Sequence, residues 1–223
     1  MAPPASDSTS GSPADVYDWW SRHPRALGAL YTLAFAGRER QFRRRAVATL
    51  DLSPGERALE LGCGNGNSFE ALQAGVAPDG TVVGLDASGG MTAAATERTR
   101  DAAWEGVHVV RGDAERPPVP DDSFDAAYAA MSLSAVPDPV AAVEAVYSAL
   151  APGGRFVVLD AQPFQWLPLR ALNPLLVPVF ERTTNWVPGV DLLGTLAESF
   201  DDLTVSTFNA GSIVVARAVR EPE

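Results

Sequence analysis

The chain has 223 residues, of which 46% are hydrophobic and 20% charged, and this balance predicts a globular protein with one sizeable core. Its 28 acidic residues outnumber 17 basic ones, all of which are Arg, and the formal net charge is −11. Such a charge opposes contact with polyanions, so nucleic acid is a poor partner for this chain. An acidic excess without Lys is typical of adaptation to high salt, and a GC-rich genome that encodes Arg in place of Lys is the alternative explanation.

The cysteine content and the N-terminal composition exclude several further classes of protein. Cys63 is the one cysteine of the sequence, which excludes an internal disulfide and a cysteine-rich metal site. Residues 1–15 are rich in Ala, Pro, Ser and Gly and lack the basic and apolar regions of a signal peptide, so they predict a disordered tail. No run of about 18 apolar residues is present, so no membrane-spanning helix is expected. The expected location is the cytoplasm, with peripheral membrane contact left open.

The predicted elements begin after this tail with a helical region over residues 16–50, which Arg22, Pro24 and Gly37 divide into two or three helices. Strands and helices then alternate along the chain. Strands are predicted over residues 57–61, 81–85, 107–111, 124–130 and 155–159. Helices are predicted over residues 68–74, 91–103 and 140–150. The sequence Pro152-Gly153-Gly154 is expected to form a turn between the last of these helices and the fifth strand.

This alternation predicts a parallel sheet with helices on both faces. Near the C-terminus, residues 203–208 and 212–218 are two further β-rich runs, separated only by Asn209-Ala210-Gly211. So short a connection can join only antiparallel strands. The predicted fold class is therefore α/β, with a doubly wound, seven-stranded sheet that is mostly parallel and ends in an antiparallel hairpin.

A glycine-rich segment, Glu60-Leu61-Gly62-Cys63-Gly64-Asn65-Gly66, lies where the first predicted strand turns into a helix. Its three alternate glycines let the backbone turn tightly and approach a ligand without interference from Cβ atoms. Ligands of open α/β sheets bind in this crevice, at the carboxyl ends of the strands. Asp86 ends the second strand, where a carboxylate can accept hydrogen bonds from both ribose hydroxyls of an adenosine, and Asp113 ends the third, where it can accept one from the adenine amine.

These segments resemble those of the class I S-adenosylmethionine-dependent methyltransferases, whose fold is Rossmann-like. The glycine-rich segment is similar to motif I of that family, residues 85–91 to the ribose segment, residues 111–115 to the adenine segment, and residues 150–155 to the turn before the fifth strand. The resemblance covers residues 50–219 with all four segments in order. It implies a methyltransferase that uses S-adenosylmethionine and forms a single domain over residues 16–223, with a helical cap over residues 16–50.

The resemblance also implies which residues hold the cofactor. Gly62, Gly64 and Gly66 would pass under its methionine moiety, and Glu60 would lie near its amino group. The ribose, the adenine and the remaining contacts would involve Asp86, Met91, Asp113 with the backbone N–H of Ala114, Tyr31, Cys63, Ala87 and Met131.

A nicotinamide-dependent dehydrogenase is the structural alternative, because its fingerprint also pairs glycines with a later acidic residue. That pattern requires a third glycine at position 67, where this chain has Asn67. It also leaves the terminal hairpin and Asp113 unexplained. The methyltransferase resemblance accounts for all three features.

The sequence gives fewer indications of the residues that would hold the methyl acceptor. No cluster of metal ligands is visible in the sequence, so metal-assisted chemistry is not expected. Acceptor hydroxyls and ring carbons need a base. His23 lies in the predicted cap among the aromatic residues Tyr17, Trp19, Trp20 and Tyr31 and is the candidate for that role. The alternative is that these aromatic residues simply pack the cap onto the sheet.

Residues 161–188 form a second variable segment, which we call the lid segment. It is rich in apolar side chains, and the four prolines between positions 163 and 187 are expected to prevent one long helix. Such a segment is suited to covering a pocket or contacting an oily acceptor, and plain packing is the alternative.

Further residues resemble methyltransferases of quinone and phospholipid-amine metabolism; these are Tyr31, Phe35, Gly37-Arg38 and Arg44 before motif I, and Gly211-Ser212-Ile213-Val214 near the end. Thr32 stands where an Asp usually follows that Tyr, and residues 132–136 lack the Arg-Asn pair of the quinone enzymes.

Three hypotheses for the acceptor follow from the sequence. The first is a small-molecule acceptor of lipidic or aromatic character. The second is RNA or protein, which would require the basic run from Arg38 to Arg45 to lie beside the cofactor; otherwise this run is a solvated helix face paired with nearby acids. The third is a cofactor-binding scaffold without catalysis. The sequence leaves the oligomeric state open.

Overall fold

The computed structural model of the protein describes residues 13–35 and 37–222. Residues 1–12, most of the predicted tail, lie outside the described residues, and residues 13–15 belong to the first helix. The α-helices are α1 (Pro13–Ser21), α2 (Pro24–Ala34), α3 (Glu39–Ala48), α4 (Phe69–Val76), α5 (Gly89–Asp101), α6 (Pro139–Ala149), α7 (Asn173–Thr184) and α8 (Leu192–Ser199). The strands are β1 (Arg57–Leu61), β2 (Thr81–Asp86), β3 (Val107–Arg111), β4 (Phe124–Ala130), β5 (Leu150–Ala161), β6 (Asp202–Phe208) and β7 (Ile213–Val219). Short 3₁₀ helices cover Leu133–Ala135 and Leu169–Leu172.

The strands form one seven-stranded sheet in the order β3-β2-β1-β4-β5-β7-β6. Strands β1 to β5 are parallel, whereas β7 is antiparallel to both β5 and β6. The predicted fold, including its terminal antiparallel hairpin, is therefore confirmed. The strand order reverses between β1 and β4, and the crevice at such a point is where open α/β sheets bind ligands.

The beginning of β5 differs from the prediction. The strand starts at Leu150, directly after α6, so Pro152-Gly153-Gly154 lies within it and is not a separate turn. The backbone N–H of Gly153 donates to the carbonyl oxygen of Arg220 at 3.0 Å, and the N–H of Arg220 donates to that of Gly154 at 2.9 Å. The C-terminal segment thus pairs with this irregular stretch and draws it into the sheet.

Successive side chains of a buried strand point to opposite faces of the sheet, so each strand contributes to the core on both faces. In β1, Ala58 packs into the cluster beneath α3, α4 and α5, whereas Leu59 and Leu61 pack into the cluster beneath α6 and α8. Glu60 lies opposite Gly84 and Tyr128 on the neighbouring strands and is almost fully buried. The period of two thus places one carboxyl group inside the core, directly before the glycine-rich segment.

Helix α1 of the cap lies against α2, α5 and α7, whereas α3 lies against β5 and α4. Val16, Trp20 and Leu27 form a buried cluster with Met91 of α5. The hydroxyl of Tyr17 donates to the carbonyl oxygen of Thr184 at 2.7 Å, and the indole N–H of Trp20 donates to that of Thr183 at 2.7 Å. Helix α1 is therefore joined to the end of α7. Within residues 13–35 and 37–222, no helix combines the length and apolar character needed to cross a bilayer.

Candidate functional site

A cavity of about 950 Å³ lies at the carboxyl ends of β1, β2, β3 and β4, and we call it the first cavity. Most of the site residues predicted from the sequence line it; these are Tyr31, Gly62, Cys63, Gly64, Asp86, Ala87, Met91, Asp113, Ala114 and Met131. Glu60 and Gly66 are not among its lining residues. The structure thus brings together the ends of neighbouring strands as the sequence predicts.

The three motif glycines differ in what surrounds them. Gly62, Gly64 and Gly66 have φ angles of +62°, +55° and +75°, which glycine adopts without strain. A Cβ atom at Gly62 would stand 2.3 Å from the Cβ of Ser132, and one at Gly66 would stand 2.6 Å from the ring of Phe69. At Gly64, a Cβ would meet no described atom within 4 Å. Gly62 and Gly66 therefore permit close packing, whereas Gly64 keeps space open beside the cavity.

This difference predicts unequal effects of two alanine substitutions. We expect Gly62→Ala to lower the free energy of unfolding by roughly 3 kcal/mol or more, because it adds a collision to the strain of a positive φ. We expect Gly64→Ala to cost only about 1 kcal/mol, since it adds the strain alone. Urea unfolding of the two variants measures both values, and equal losses would contradict the assignment of open space at Gly64.

Asp86 joins the glycine-rich segment to the start of α5. Its Oδ2 accepts from the backbone N–H of Gly64 and its Oδ1 from that of Ser88, each at 2.9 Å. Burial raises the pKa of Asp86 above its ordinary value, and these two N–H groups counteract that rise. Each carboxylate oxygen can accept a second hydrogen bond. Asp86 can therefore hold the loop and two ligand hydroxyls at once.

The N-terminus of α5 is occupied by a side chain from the cap. Ser88 is the N-cap residue, and its hydroxyl accepts from the N–H of Met91 at 3.1 Å. The same hydroxyl donates to Asp18 of α1, which also accepts from the N–H of Gly90 at 3.0 Å. The hydrogen bond from Ser88 is the main reason that the pKa of Asp18 lies below its usual value. Asp18 thus fixes α1 beside the cavity through the donors of a helix N-terminus.

The end of β3 contributes the exposed side of the first cavity. Asp113 accepts from the backbone N–H of Glu115 at 3.0 Å, which orders the turn that also carries Ala114. Met91, in the first turn of α5, is buried against the cap cluster and lines the same cavity. A planar apolar group with polar edges, such as a nucleobase, suits this combination.

A buried polar cluster lies next to the glycine-rich segment. It contains Glu60 of β1, Tyr128 of β4, Ser68 and the cap residues Arg43 and Glu39. The guanidinium of Arg43 donates to Glu39 at 2.9 Å and to the hydroxyl of Ser68 at 3.2 Å. Burial raises the pKa of Glu60 to about 7, and the charge of Arg43 opposes this rise. Within the described part of the chain, no donor reaches Oε2 of Glu60, so this oxygen has an unused acceptor position.

Arg43 is a site residue that the sequence interpretation missed. It was assigned with its neighbours to a solvated helix face, but its side chain is buried and lines the first cavity. Helical spacing offers the signal, because Ala46, Val47 and Leu50 follow Arg43 at intervals of three, four and seven, and all three are buried. The other four arginines of the run are exposed and line neither cavity; these are Arg38, Arg40, Arg44 and Arg45.

A second cavity of about 1010 Å³ adjoins the first. Four residues line both cavities; these are Tyr17, Tyr31, Met131 and Ala135. Met131 has a φ of +59°, a strained conformation for a residue with a side chain, directly where β4 ends between the two cavities. The lid segment supplies one wall of the second cavity, through residues that include Phe164, Leu176, Val177, Phe180 and Trp186.

His23 lies outside both cavities. It is exposed, its ring stacks on that of Trp19 with centroids 4.0 Å apart, and its Nδ1 is 2.9 Å from the carbonyl oxygen of Trp19. The prediction that His23 acts as a base therefore has no support from the geometry.

In the ranges 13–35 and 37–222, no group of three or more His, Cys, Asp or Glu side chains is placed to hold a metal ion.

Comparison with known sequences identifies relatives of this chain. A family model described as a methyltransferase domain matches residues 59–158. Demethylmenaquinone methyltransferase from Beutenbergia cavernae is 37% identical over 169 residues, which are 75% of this chain and 67% of that protein. An uncharacterized 37.1 kDa protein in transposon TN4556 of Streptomyces fradiae is 36% identical over 135 residues, 60% of this chain and 39% of that protein. The chain thus spans well under half the length of the second relative.

Comparison with solved structures agrees on the fold. A methyltransferase dependent on S-adenosylmethionine from Thermotoga maritima superimposes with a TM-score of 0.70 and 22% sequence identity, over 92% of this chain and 100% of that one. At 22% identity the likeness to this structure shows the fold alone. The demethylmenaquinone methyltransferase from Beutenbergia cavernae is also similar to this chain in sequence. The chain therefore belongs to the class I S-adenosylmethionine-dependent methyltransferase family.

Proposed function

We propose that the protein transfers a methyl group from S-adenosylmethionine to an uncharged, ring-bearing, apolar small molecule held in the second cavity. The observation that carries this proposal is the pair of adjoining cavities, one at the strand ends with charged side chains in its lining and one beneath the lid segment without any. When bound, S-adenosylmethionine supplies a methyl group carried on a positively charged sulfur. The protein must supply the binding, the orientation and the exclusion of water.

Three features of the first cavity fit the cofactor. Gly64 leaves a space that any side chain would fill, so the backbone can approach a ligand closely. Asp86 has spare acceptor positions for two ribose hydroxyls. The guanidinium of Arg43, which lines the cavity, suits the carboxylate of the methionine moiety. We therefore assign the carboxylate of the methionine moiety to Arg43, and the ribose to Asp86.

The lining of the second cavity supports an uncharged, apolar acceptor. Its described lining residues include aromatic and aliphatic side chains and none with a formal charge. Burying a charged phosphate or ammonium group there without a partner would be costly. Polar side chains at the wall can orient a ring by hydrogen bonds; these are Ser134, Gln162, Asn173, Thr184 and Ser212.

Ser134 is the best placed of these polar side chains. Its hydroxyl donates to Oδ1 of the buried Asp160 at 2.7 Å, while its backbone N–H donates to Oδ2 at 3.1 Å. Because the hydroxyl hydrogen is engaged, its lone pairs are the part available to an acceptor hydroxyl. We assign Ser134 the role of receiving that hydrogen bond. Asp160, whose pKa burial raises, takes up through Ser134 the proton that the acceptor releases on methylation.

The relatives support an acceptor of quinone character. The relative from Beutenbergia cavernae is named for demethylmenaquinone, and the apolar lining of the second cavity in this chain suits an acceptor of that character. RNA and protein acceptors are less well supported, since the four exposed arginines of α3 and its preceding loop line neither cavity. A reduced naphthoquinone with a short isoprenoid tail is therefore the probe that we select.

Two valines of α7 provide a matched test. Val177 lines the second cavity, whereas Val179 on the same helix is exposed and does not. We expect Val177→Trp to lower kcat/KM for the quinol at least about tenfold by filling the cavity, with unchanged affinity for S-adenosylmethionine. Val179→Trp should change neither. The measurements are transfer of a radiolabelled methyl group and calorimetric titration of the cofactor.

Two outcomes would contradict the proposal. One is a wild-type protein that binds the cofactor but methylates charged acceptors without a ring as well as it methylates the quinol. The other is an unchanged kcat/KM in Val177→Trp, which would place the acceptor elsewhere.

A further inference from the structure

Helix α7 has apolar side chains both toward the second cavity and toward solvent. Leu176, Val177 and Phe180 face the second cavity. Leu175 and Val179 point away from it and are 70% and 48% exposed. A surface helix normally has one apolar side and one polar side. The apolar character of the outward side therefore needs a reason other than lining the cavity.

The exposed apolar side chains are concentrated in the lid segment. Of the eight large hydrophobic side chains that are exposed among the described residues, six lie between positions 166 and 187. Trp166 and Leu167 are 66% and 67% exposed, and Leu172 is also exposed. We call Trp166, Leu167, Leu172, Leu175 and Val179 the outer lid face. Concentrated apolar exposure of this kind marks a binding surface, whereas scattered single residues do not.

The charge of the outer lid face contrasts with that of the whole chain. The protein carries a formal net charge of −11, yet residues 162–180 contain no Asp or Glu and a single charged side chain, Arg170. Arg170 is exposed in the 3₁₀ helix between Leu167 and Leu172. The acidic residue that follows, Glu181 on α7, is exposed next to Arg182, so the nearby charges balance and Arg170 is the charge in the midst of the apolar face. An apolar face with a basic side chain in its midst is complementary to an anionic apolar surface.

We infer that the outer lid face docks on the surface of a lipid bilayer that contains anionic lipid. Trp and Leu side chains enter the boundary between headgroups and acyl chains, and Arg170 contacts lipid phosphate. Another side of the same helix lines the apolar cavity, so docking brings that cavity next to the phase in which an oily acceptor dissolves. Bilayer binding goes beyond the proposed function and does not require that any acceptor be present.

Vesicle sedimentation tests this inference. The variant combines Trp166→Ser, Leu167→Ser and Leu175→Ser, none of which lines either cavity. The control combines Val140→Ser and Val205→Ser, which are exposed elsewhere, on α6 and on the edge strand β6. We expect the wild type and the control to sediment with vesicles of phosphatidylglycerol and phosphatidylcholine. The triple variant should lose at least about tenfold in partition constant, since it removes apolar area from the contact.

Two further measurements complete the test. One is sedimentation with vesicles that lack anionic lipid, and the other is light scattering, which gives the oligomeric state of the protein. Weaker binding of the wild type to vesicles of phosphatidylcholine alone would support the role of Arg170. A wild type that stays in the supernatant with anionic vesicles would overturn the inference, as would a triple variant that binds like the wild type. A wild-type dimer that the triple variant converts to a monomer, without vesicle binding, would assign the face to a second copy. Vesicle binding without methyl transfer to the quinol would contradict the proposed function alone.

Discussion

Asp86→Ala should weaken the binding of S-adenosylmethionine by about 10³-fold while leaving the protein folded. Two charge-assisted hydrogen bonds to ribose hydroxyls contribute about 1.5–3 kcal/mol each, and both are lost in this variant. Asp86 accepts hydrogen bonds from the N–H groups of Gly64 and Ser88. Both residues line the cavity, so water in the cavity can replace the lost carboxylate as hydrogen-bond acceptor. The measurements are calorimetric titration with the cofactor and thermal unfolding of the free protein.

Two comparisons make the Asp86 result specific. Asp86→Asn keeps one acceptor oxygen and loses the charge, so its affinity should fall between those of the wild type and Asp86→Ala. Asp121→Ala removes an exposed carboxylate before β4 that does not line the cavity, and its affinity should be unchanged. Retained affinity in a folded Asp86→Ala protein would refute the ribose assignment.

Arg43→Met should lower the free energy of unfolding by about 3–5 kcal/mol at pH 8, because it leaves buried Glu60 without a nearby cation. In the wild type, burial raises the pKa of Glu60 from 4.5 to about 7. The folded state therefore holds a proton that the unfolded state has released, and stability falls by roughly 3 kcal/mol as pH rises from about 4.5 to about 7. Without Arg43 the pKa rises further, so the fall continues to higher pH.

Removing the carboxylate should reverse most of this loss. Glu60→Gln in the Arg43→Met background takes away the buried negative charge, so stability at pH 8 should recover and its decline with pH should flatten. Arg44→Met, at the exposed neighbouring position, should change stability by less than about 0.5 kcal/mol. Urea unfolding at pH 5 and pH 8 measures all four proteins. An Arg43→Met protein as stable as Arg44→Met would show that Arg43 does not stabilise this cluster.

The parts of the site that the sequence predicts are those set by local rules. Strand ends follow from apolar runs and turn residues, and a parallel sheet brings its carboxyl ends to one edge, so Gly62, Asp86 and Asp113 meet without further information. The antiparallel hairpin follows from a three-residue connection in the same way. The start of β5 was not predicted, because the pairing partner of Gly153 and Gly154 is Arg220, at the far end of the chain.

Other parts of the site depend on how distant segments pack. The contact of Asp18 with the N-terminus of α5 joins residues about 70 positions apart, and no local pattern indicates it. The basic run containing Arg43 was interpreted from its charge, although helical spacing places this one residue on the buried face. The second cavity lies where the cap, the lid segment and the terminal hairpin meet, so its shape is a tertiary property.

Helix α1 touches the covers of both cavities. At one side Asp18 bonds to the first turn of α5, and at the other Tyr17 and Trp20 bond to the last carbonyl groups of α7. Because Tyr17, Asp18 and Trp20 lie on one turn of α1, a rigid movement of this helix away from α5 would also break its hydrogen bonds to α7 and uncover both cavities. Release of the spent cofactor and release of the methylated product would then belong to one opening event.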